Sequence, residues 1–176
     1  MIILLNKKWV LVVSINWNKE QYFIGNFDGK EFKLIENHPK EALYVDKGLD
    51  YYASRTFRDY DNTLKTVSTM GWVSTWDYAP HVPSTYGKGF FWSLPRDLAL
   101  KTFPEGLRMI QTPVKQLEQL RYDEISFQHT LEMGVHRLPQ FSPEENCYEM
   151  DVCFDVSSKN VFGFNLCVGE GRKVGD

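Results

Sequence analysis

Hydrophobic and polar positions alternate with a period of two through most of residues 1–112, the signature of strands whose side chains point to opposite faces. Lys8–Ile15 (KWVLVVSI) is a near-continuous apolar run rich in β-branched residues, as expected of a central strand. Residues 16–20 are a polar loop, and residues 21–27 (QYFIGNF) alternate again. Asp28-Gly29 follows, and residues 31–35 resume the pattern. An Asp-Gly pair between alternating runs predicts a hairpin, which Asn37-His38-Pro39 ends. Residues 51–57, 64–73, 90–94, 98–103 and 107–111 are further short strands. Turn signals stand between them in residues 58–62, at Pro95 and at Pro104-Glu105-Gly106. Strands at roughly 8–12 residue spacing predict an all-β sandwich, barrel or propeller.

One segment departs from that period. In PVKQLEQLR (residues 113–121), Val114, Leu117 and Leu120 recur every third residue and Pro113 suits a first helical position, so a short linker helix is expected between two bodies. Strand patterns return at 125–131, 149–156 and 161–168, interrupted by Leu138-Pro139-Gln140-Phe141-Ser142-Pro143. The chain ends directly after a strand pattern and reads as cut.

The stretch most suited to chemistry is Gly71-Trp72-Val73-Ser74-Thr75-Trp76-Asp77-Tyr78-Ala79-Pro80-His81-Val82-Pro83. It begins inside a strand and leaves through a loop. Pro80 and Pro83 cannot donate to a sheet ladder and mark irregular backbone at the strand end. Flat rings beside hydrogen-bonding groups suit a sugar, whose C–H face stacks while its hydroxyls bond. Trp72, inside the strand, fits a core plug better; Trp76, beyond the strand end, fits a ligand contact better.

Composition narrows the classes. A formal net charge of -3 argues against nucleic acid as the main partner. An aromatic share of 15% suits both an all-β protein and a carbohydrate binder and does not separate them. No apolar run approaches the roughly 20 residues that span a bilayer, so no membrane partner is expected. MIILL runs straight into Asn6-Lys7-Lys8, too short for a secretory core, and nothing here directs export. Cys147, Cys153 and Cys167 lack zinc-site spacing, and His38, His81, His129 and His136 are scattered, so neither metal nor cofactor is expected. Cys153 and Cys167 lie in strand-like runs and are expected as buried thiols.

Six segments taken in order, KWVLVVSIN, QYFIGNFDGKEF, DYYASRTF, GWVSTWDYAPHVP, WSLPRDLAL and RMIQTPVKQLEQLR, resemble glycoside hydrolase family 32, which holds levanases, inulinases and invertases. The resemblance runs from about Lys8 to the C-terminus. It implies the last part of a five-bladed β-propeller (1–112), a linker (113–121) and the start of a C-terminal β-sandwich (122–176). It also implies a retaining glycosidase that removes terminal fructosyl units from levan, inulin or sucrose without a cofactor. Such chemistry needs a carboxylate nucleophile and a carboxyl acid/base. The family carries these in WMNDPNG-like and Glu-Cys-Pro motifs, with a stabilising aspartate in Arg-Asp-Pro.

None of those motifs occurs in this sequence. Arg58-Asp59 is followed by Tyr60, Arg96-Asp97 by Leu98, and Glu145 by Asn146-Cys147. No catalytic residue is therefore assigned, and the chain alone is expected to be inactive. What the resemblance does imply is one wall of a fructose pocket. Asp50 is the aspartate of D-[FY]-Y-A, and Trp76 is the second tryptophan of G-W-x-x-x-W. Asp77 and Tyr78 are weaker candidates, by adjacency. Arg96 is expected to be structural, holding the two bodies together or pairing with a carboxylate. An incomplete propeller and sandwich would expose sheet edges, so self-association is expected. The rival reading is a non-catalytic fructan- or carbohydrate-binding module.

Overall fold

The first strands close on one another through tight turns. β1 (Ile2–Leu5) pairs antiparallel with β2 (Lys8–Ile15) around Asn6 and Lys7, both in left-handed backbone at φ 46° and 65°. That is the two-residue hairpin geometry whose twist matches the flanking strands. β2 pairs with β3 (Lys19–Phe27) in unbroken register, and β3 with β4 (Phe32–Leu34). The β3–β4 turn is held by Asp28, whose Oδ1 accepts from the N–H groups of Lys30 at 2.8 Å and Glu31 at 2.7 Å. This is the Asx geometry for which aspartate is favoured in turns. A second antiparallel sheet contains β5 (Tyr52–Thr56), β6 (Val67–Trp72), β7 (Arg96–Phe103) and β8 (Gly106–Pro113), paired in chain order. The computed structural model describes residues 1–57, 66–81, 91–138, 141, 148–155 and 161–165.

Alternation explains which residues meet between the sheets. Ile3 and Leu5, Val10 and Val12, and Tyr22 and Ile24 point inward from the first sheet, against Tyr51, Leu98, Leu100 and Met109. Val10 and Ile24 are fully buried, and each contributes about 1.5–3 kcal/mol of burial free energy. Polar links cross the same layer: the Met109 N–H donates to the Tyr22 hydroxyl at 3.2 Å, and Asn6 Nδ2 to the Leu100 carbonyl at 3.2 Å. The chain divides into two units, Met1–Tyr122 and Asp123–Asp176, and both sheets lie in the first.

The all-β class holds, with differences in detail. β1 was not anticipated, because a short apolar run at a chain start has no turn signal before it. Of residues 90–94, the described part, from Phe91, forms no regular strand and makes one isolated bridge, Trp72 to Trp92. The linker helix is a 3-10 turn, Lys115–Leu120, and Pro113 closes β8 instead of opening the helix. The three-residue recurrence of Val114, Leu117 and Leu120 is the 3-10 period itself, and a segment this short cannot repay α-helix nucleation.

In the second unit, the described residues of 125–131, 149–156 and 161–168 carry no strand pairing. Rings do bring two of these segments together: Phe154 lies 4.4 Å from Phe162 and 5.7 Å from Phe164. Cys153 is an exposed free thiol, not a buried one, since none of the described residues 151–155 is covered. Cys147, Cys167 and the turn at 58–62 lie outside the described residues.

Candidate functional site

β6 ends at Trp72, and the chain then turns tightly. The Ala79 N–H donates to the Thr75 carbonyl at 2.9 Å and the His81 N–H to the Tyr78 carbonyl at 2.8 Å, leading into the 3-10 turn Ala79–His81. This short helical path carries Trp76 and Tyr78 past the strand end. The Tyr78 hydroxyl reaches back to Asp50, just before β5, and donates to its Oδ2. The other carboxylate oxygen, Oδ1, is buried and has no hydrogen-bond partner. Accepting from Tyr78 places an anion beside the phenol, and with some burial this raises the Tyr78 pKa above its ordinary value of 10.0. Ser74 is buried, and its hydroxyl stands next to the Tyr78 phenol and partly offsets that rise.

Buried polar atoms in native proteins nearly always have partners, so the unpartnered Asp50 Oδ1 is informative; the buried Tyr51 hydroxyl and His38 Nε2 also lack one. Asp50 Oδ1 is an acceptor, which matches the donating side of a ligand hydroxyl. In the same turn as Tyr78, Trp76 is half exposed, at 50%, with its ring centroid 5.0 Å from that of buried Trp72 in an edge contact. The site residues expected from sequence, Asp50 and Trp76, are thus joined by the Thr75–Tyr78 turn. Tyr78, expected only by adjacency, is the side chain that engages Asp50. Asp77 is exposed and contributes its backbone N–H to Thr75 Oγ1 at 3.1 Å. Among the described residues, no three His, Cys, Asp or Glu side chains converge on a metal position.

The support behind this end of the sheet was not legible in the sequence. Glu20 on β3 is 2% exposed, and its carboxylate accepts from the Ser54 N–H at 2.7 Å, the Ser54 hydroxyl and the Ser14 hydroxyl at 2.9 Å. A buried carboxylate is tolerated only when bonded in this way. The bonds pin β5 to the first sheet next to Ala53, which holds φ 52° at a register irregularity between Tyr52 and Arg55. A left-handed alanine is strained by about 1–2 kcal/mol, so this is an over-determined bulge. Gly71 completes the support, for a Cβ there would lie 2.6 Å from the Tyr51 ring.

Arg96 is structural, as expected: its Nη1 pairs with Asp46 Oδ2 at 2.7 Å and its guanidinium lies 4.8 Å above the Tyr51 ring. Burial pushes the Asp46 carboxyl up, but the Arg96 hydrogen bond and the Gly48 N–H outweigh it and hold it below the usual 3.8.

Two four-stranded antiparallel sheets among the described residues make this an all-β protein. Comparison with known proteins gives the family. Residues 4–113 match the glycosyl hydrolases family 32 N-terminal domain, and the chain belongs to that family. It is 38% identical to a levanase of Bacillus subtilis (strain 168) over 96% of its own length and 26% of that protein's. It is 36% identical to invertase 1 of Saccharomyces cerevisiae over 53% of this chain and 18% of that one. Among solved structures, an exo-inulinase from Aspergillus awamori superposes with a TM-score of 0.52 at 26% identity, covering 60% of this chain and 22% of that one. The chain thus spans about a quarter of the length of the levanase.

Proposed function

We propose that these residues form part of the sugar-binding wall of a fructan β-fructosidase, an enzyme that removes terminal fructosyl units from levan, inulin or sucrose with retention. In this reading the two sheets are consecutive blades at the end of a five-bladed propeller, residues 1–112. Each is a four-stranded antiparallel meander, the repeat unit of propellers. Residues 113–121 are the linker, and 122–176 open a β-sandwich. Asp50 accepts a fructosyl hydroxyl through Oδ1, Tyr78 fixes the carboxylate through Oδ2, and Trp76 offers its face to the ring.

The nucleophile and acid/base of a double displacement lie elsewhere in the complete enzyme. This chain therefore binds fructosyl units and does not cleave them. The observation that carries the proposal is the buried, unpartnered Oδ1 of Asp50, whose other oxygen accepts from Tyr78 in the turn that carries the half-exposed Trp76.

Two measurements test it. Incubation of the purified chain with levan and with sucrose should release no fructose. Fructose should perturb the tryptophan fluorescence of the chain, and Asp50→Asn should remove that response. Fructose release by the chain, or an unchanged response in the variant, overturns the assignment. Binding without turnover is also what a non-catalytic module would give. The size of the enclosing protein separates the two: an upstream reading frame carrying WMNDPNG-like and Glu-Cys-Pro segments makes it an enzyme.

A further inference from the structure

Residues 46–50, which carry Asp50, belong to no strand or helix, so their position is set by what grips the chain on either side. One residue of the first sheet grips both. The Glu20 carbonyl accepts from the Val45 N–H at 2.9 Å, before the segment. The Glu20 carboxylate accepts from the Ser54 N–H at 2.7 Å and from the Ser54 hydroxyl, after it. The two residues preceding Glu20 hold the chain in between: Lys19 Nζ donates to the Gly48 carbonyl at 3.2 Å, and the Tyr51 N–H to the Asn18 carbonyl at 3.4 Å. The segment thus leaves Asn18-Lys19-Glu20 at Val45 and is tied back to it at Ser54, with Asp50 on the way.

The strand pattern does not ask for a carboxylate here. Glu20 stands in the inward row of β3 with Tyr22 and Ile24, and among the described residues no cation pairs with it. An apolar side chain in that row would avoid the cost of a buried charge. What it could not do is accept two bonds from one residue of β5 where the ladder to β6 is irregular, between Tyr52 and Arg55. A bulge leaves a residue without its ladder partner, and an outside bond at that point fixes the register. A slip of β5 by one residue would move Asp50 by about 3.3 Å, enough to part it from the Tyr78 hydroxyl.

On the footing that Asp50 holds a fructosyl hydroxyl, we propose that Glu20 is a positioning residue of the sugar site, acting through Ser54. Its carboxylate fixes the start of β5, and this keeps the Asp50 carboxylate where one oxygen meets Tyr78 and the other faces the sugar. Ser54, 1% exposed, is the arm that transmits the position, because no water can take its place. Ser14, exposed on β2, steadies the same carboxylate from the far side at 2.9 Å. The role belongs to the hydrogen-bonding pattern of the side chain, so an amide of the same shape fills most of it: its oxygen accepts from the Ser54 N–H and its NH₂ donates to the Ser54 hydroxyl.

The test uses the purified 176-residue chain and two readouts. One is affinity for free fructose. The other needs no sugar: the bond to Asp50 holds the Tyr78 phenol above its ordinary 10.0, so the titration of that phenol, followed by NMR of ring-labelled tyrosine and identified by its loss in Tyr78→Phe, reports where Asp50 stands. In Glu20→Ala and Ser54→Ala the Tyr78 phenol should fall toward 10.0 and fructose should bind about tenfold more weakly, the loss of one hydrogen bond to a charged group. Glu20→Gln should restore most of both. Ile24→Ala, from the same inward row, loses stability without touching the segment, and its folded fraction should match the parent in both readouts. If Glu20→Ala does not fold, Ser54→Ala and Glu20→Gln carry the comparison. An unmoved Tyr78 and unmoved fructose affinity in Ser54→Ala overturn the positioning role and leave the Asp50 assignment standing. The same shift in Ile24→Ala as in Ser54→Ala makes Glu20 merely structural and also overturns the role. A fallen Tyr78 in Ser54→Ala, in a chain whose fructose affinity ignores Asp50→Asn, keeps the hold on Asp50 and overturns the sugar assignment it rests on.

Discussion

The two sheets share one core but differ in regularity. In the first, β2 and β3 pair from Trp9–Gly25 to Ile15–Lys19 without a slip, and the strand ends are closed by turns that satisfy their own backbone. In the second, β5 carries a bulge at a left-handed Ala53, the Trp92 bridge is out of step with β7, and the buried Oδ1 of Asp50 lacks a hydrogen-bond partner. These departures fall together around Asp50, Trp72, Trp76 and Trp92. The first sheet confines its left-handed residues to turns, at Asn6, Lys7, Asn16 and Trp17, whereas the second carries its own inside a strand, where the register breaks to hold it.

That contrast can be broken by mutation. Ile24→Ala removes a fully buried side chain from the first sheet and should destabilise the chain by about 2–5 kcal/mol in urea unfolding. The fraction that remains folded should still bind fructose. Gly71→Ala forces a Cβ against the Tyr51 ring, and the overpacking should cost about 1–3 kcal/mol. Unlike the first change, it should also weaken sugar binding, because Gly71 supports the strand end that bears Trp72. If the two variants lose binding equally per unit of stability, the division between scaffold sheet and site sheet is wrong.

Acid should act at both sheets: the Glu31 and Lys30 N–H groups hold the Asp28 carboxyl of the β3–β4 turn below its ordinary value, and a second lowered carboxyl, Asp46, pairs with Arg96 on β7. The Asp46 carboxyl lies below its ordinary 3.8 in the folded chain, so the Arg96 pair stabilises fully above that value. The contribution is lost as pH falls through the depressed folded pKa. Both side chains are partly exposed, and the effect should be under about 1 kcal/mol. In Arg96→Gln the guanidinium is gone, and the acid-side loss from this group should shrink or reverse. An identical pH–stability profile in the variant would show that the pair carries none of it.

The smallest expected effect is a gain. Ala53→Gly relieves a left-handed alanine and should stabilise by up to about 1 kcal/mol. Lys7→Gly in the first hairpin should give a similar gain. Urea unfolding of the two variants against the parent chain measures both gains, and a loss of stability in Ala53→Gly would mean that the bulge is not strained.

The regular half of this molecule was readable because its rules are local. β2 follows from an apolar β-branched run, and the β3–β4 turn from Asp28-Gly29. The irregular half was not, because it is set by register and by contacts distant in sequence. Nothing in the letters around Trp92 says that it will lie opposite Trp72, since a one-residue slip decides the face. Glu20 reads as a loop residue, and its burial makes sense only once Ser54 and Ser14 are placed beside it. Asp50 and Trp76 came from motif resemblance, while the hydroxyl that links their loops, on Tyr78, came from the fold.

The most direct measurement is the affinity of the chain for fructose, by titration calorimetry, with and without Asp50→Asn. In the variant the Tyr78 hydroxyl still claims the amide oxygen, so the amide NH₂ points where the ligand hydroxyl needs an acceptor. A hydrogen bond to a charged group contributes about 1.5–3 kcal/mol, so fructose should bind more than tenfold more weakly. Equal affinity in the two chains would mean that Asp50 does not hold the sugar and that the unpartnered oxygen has another purpose.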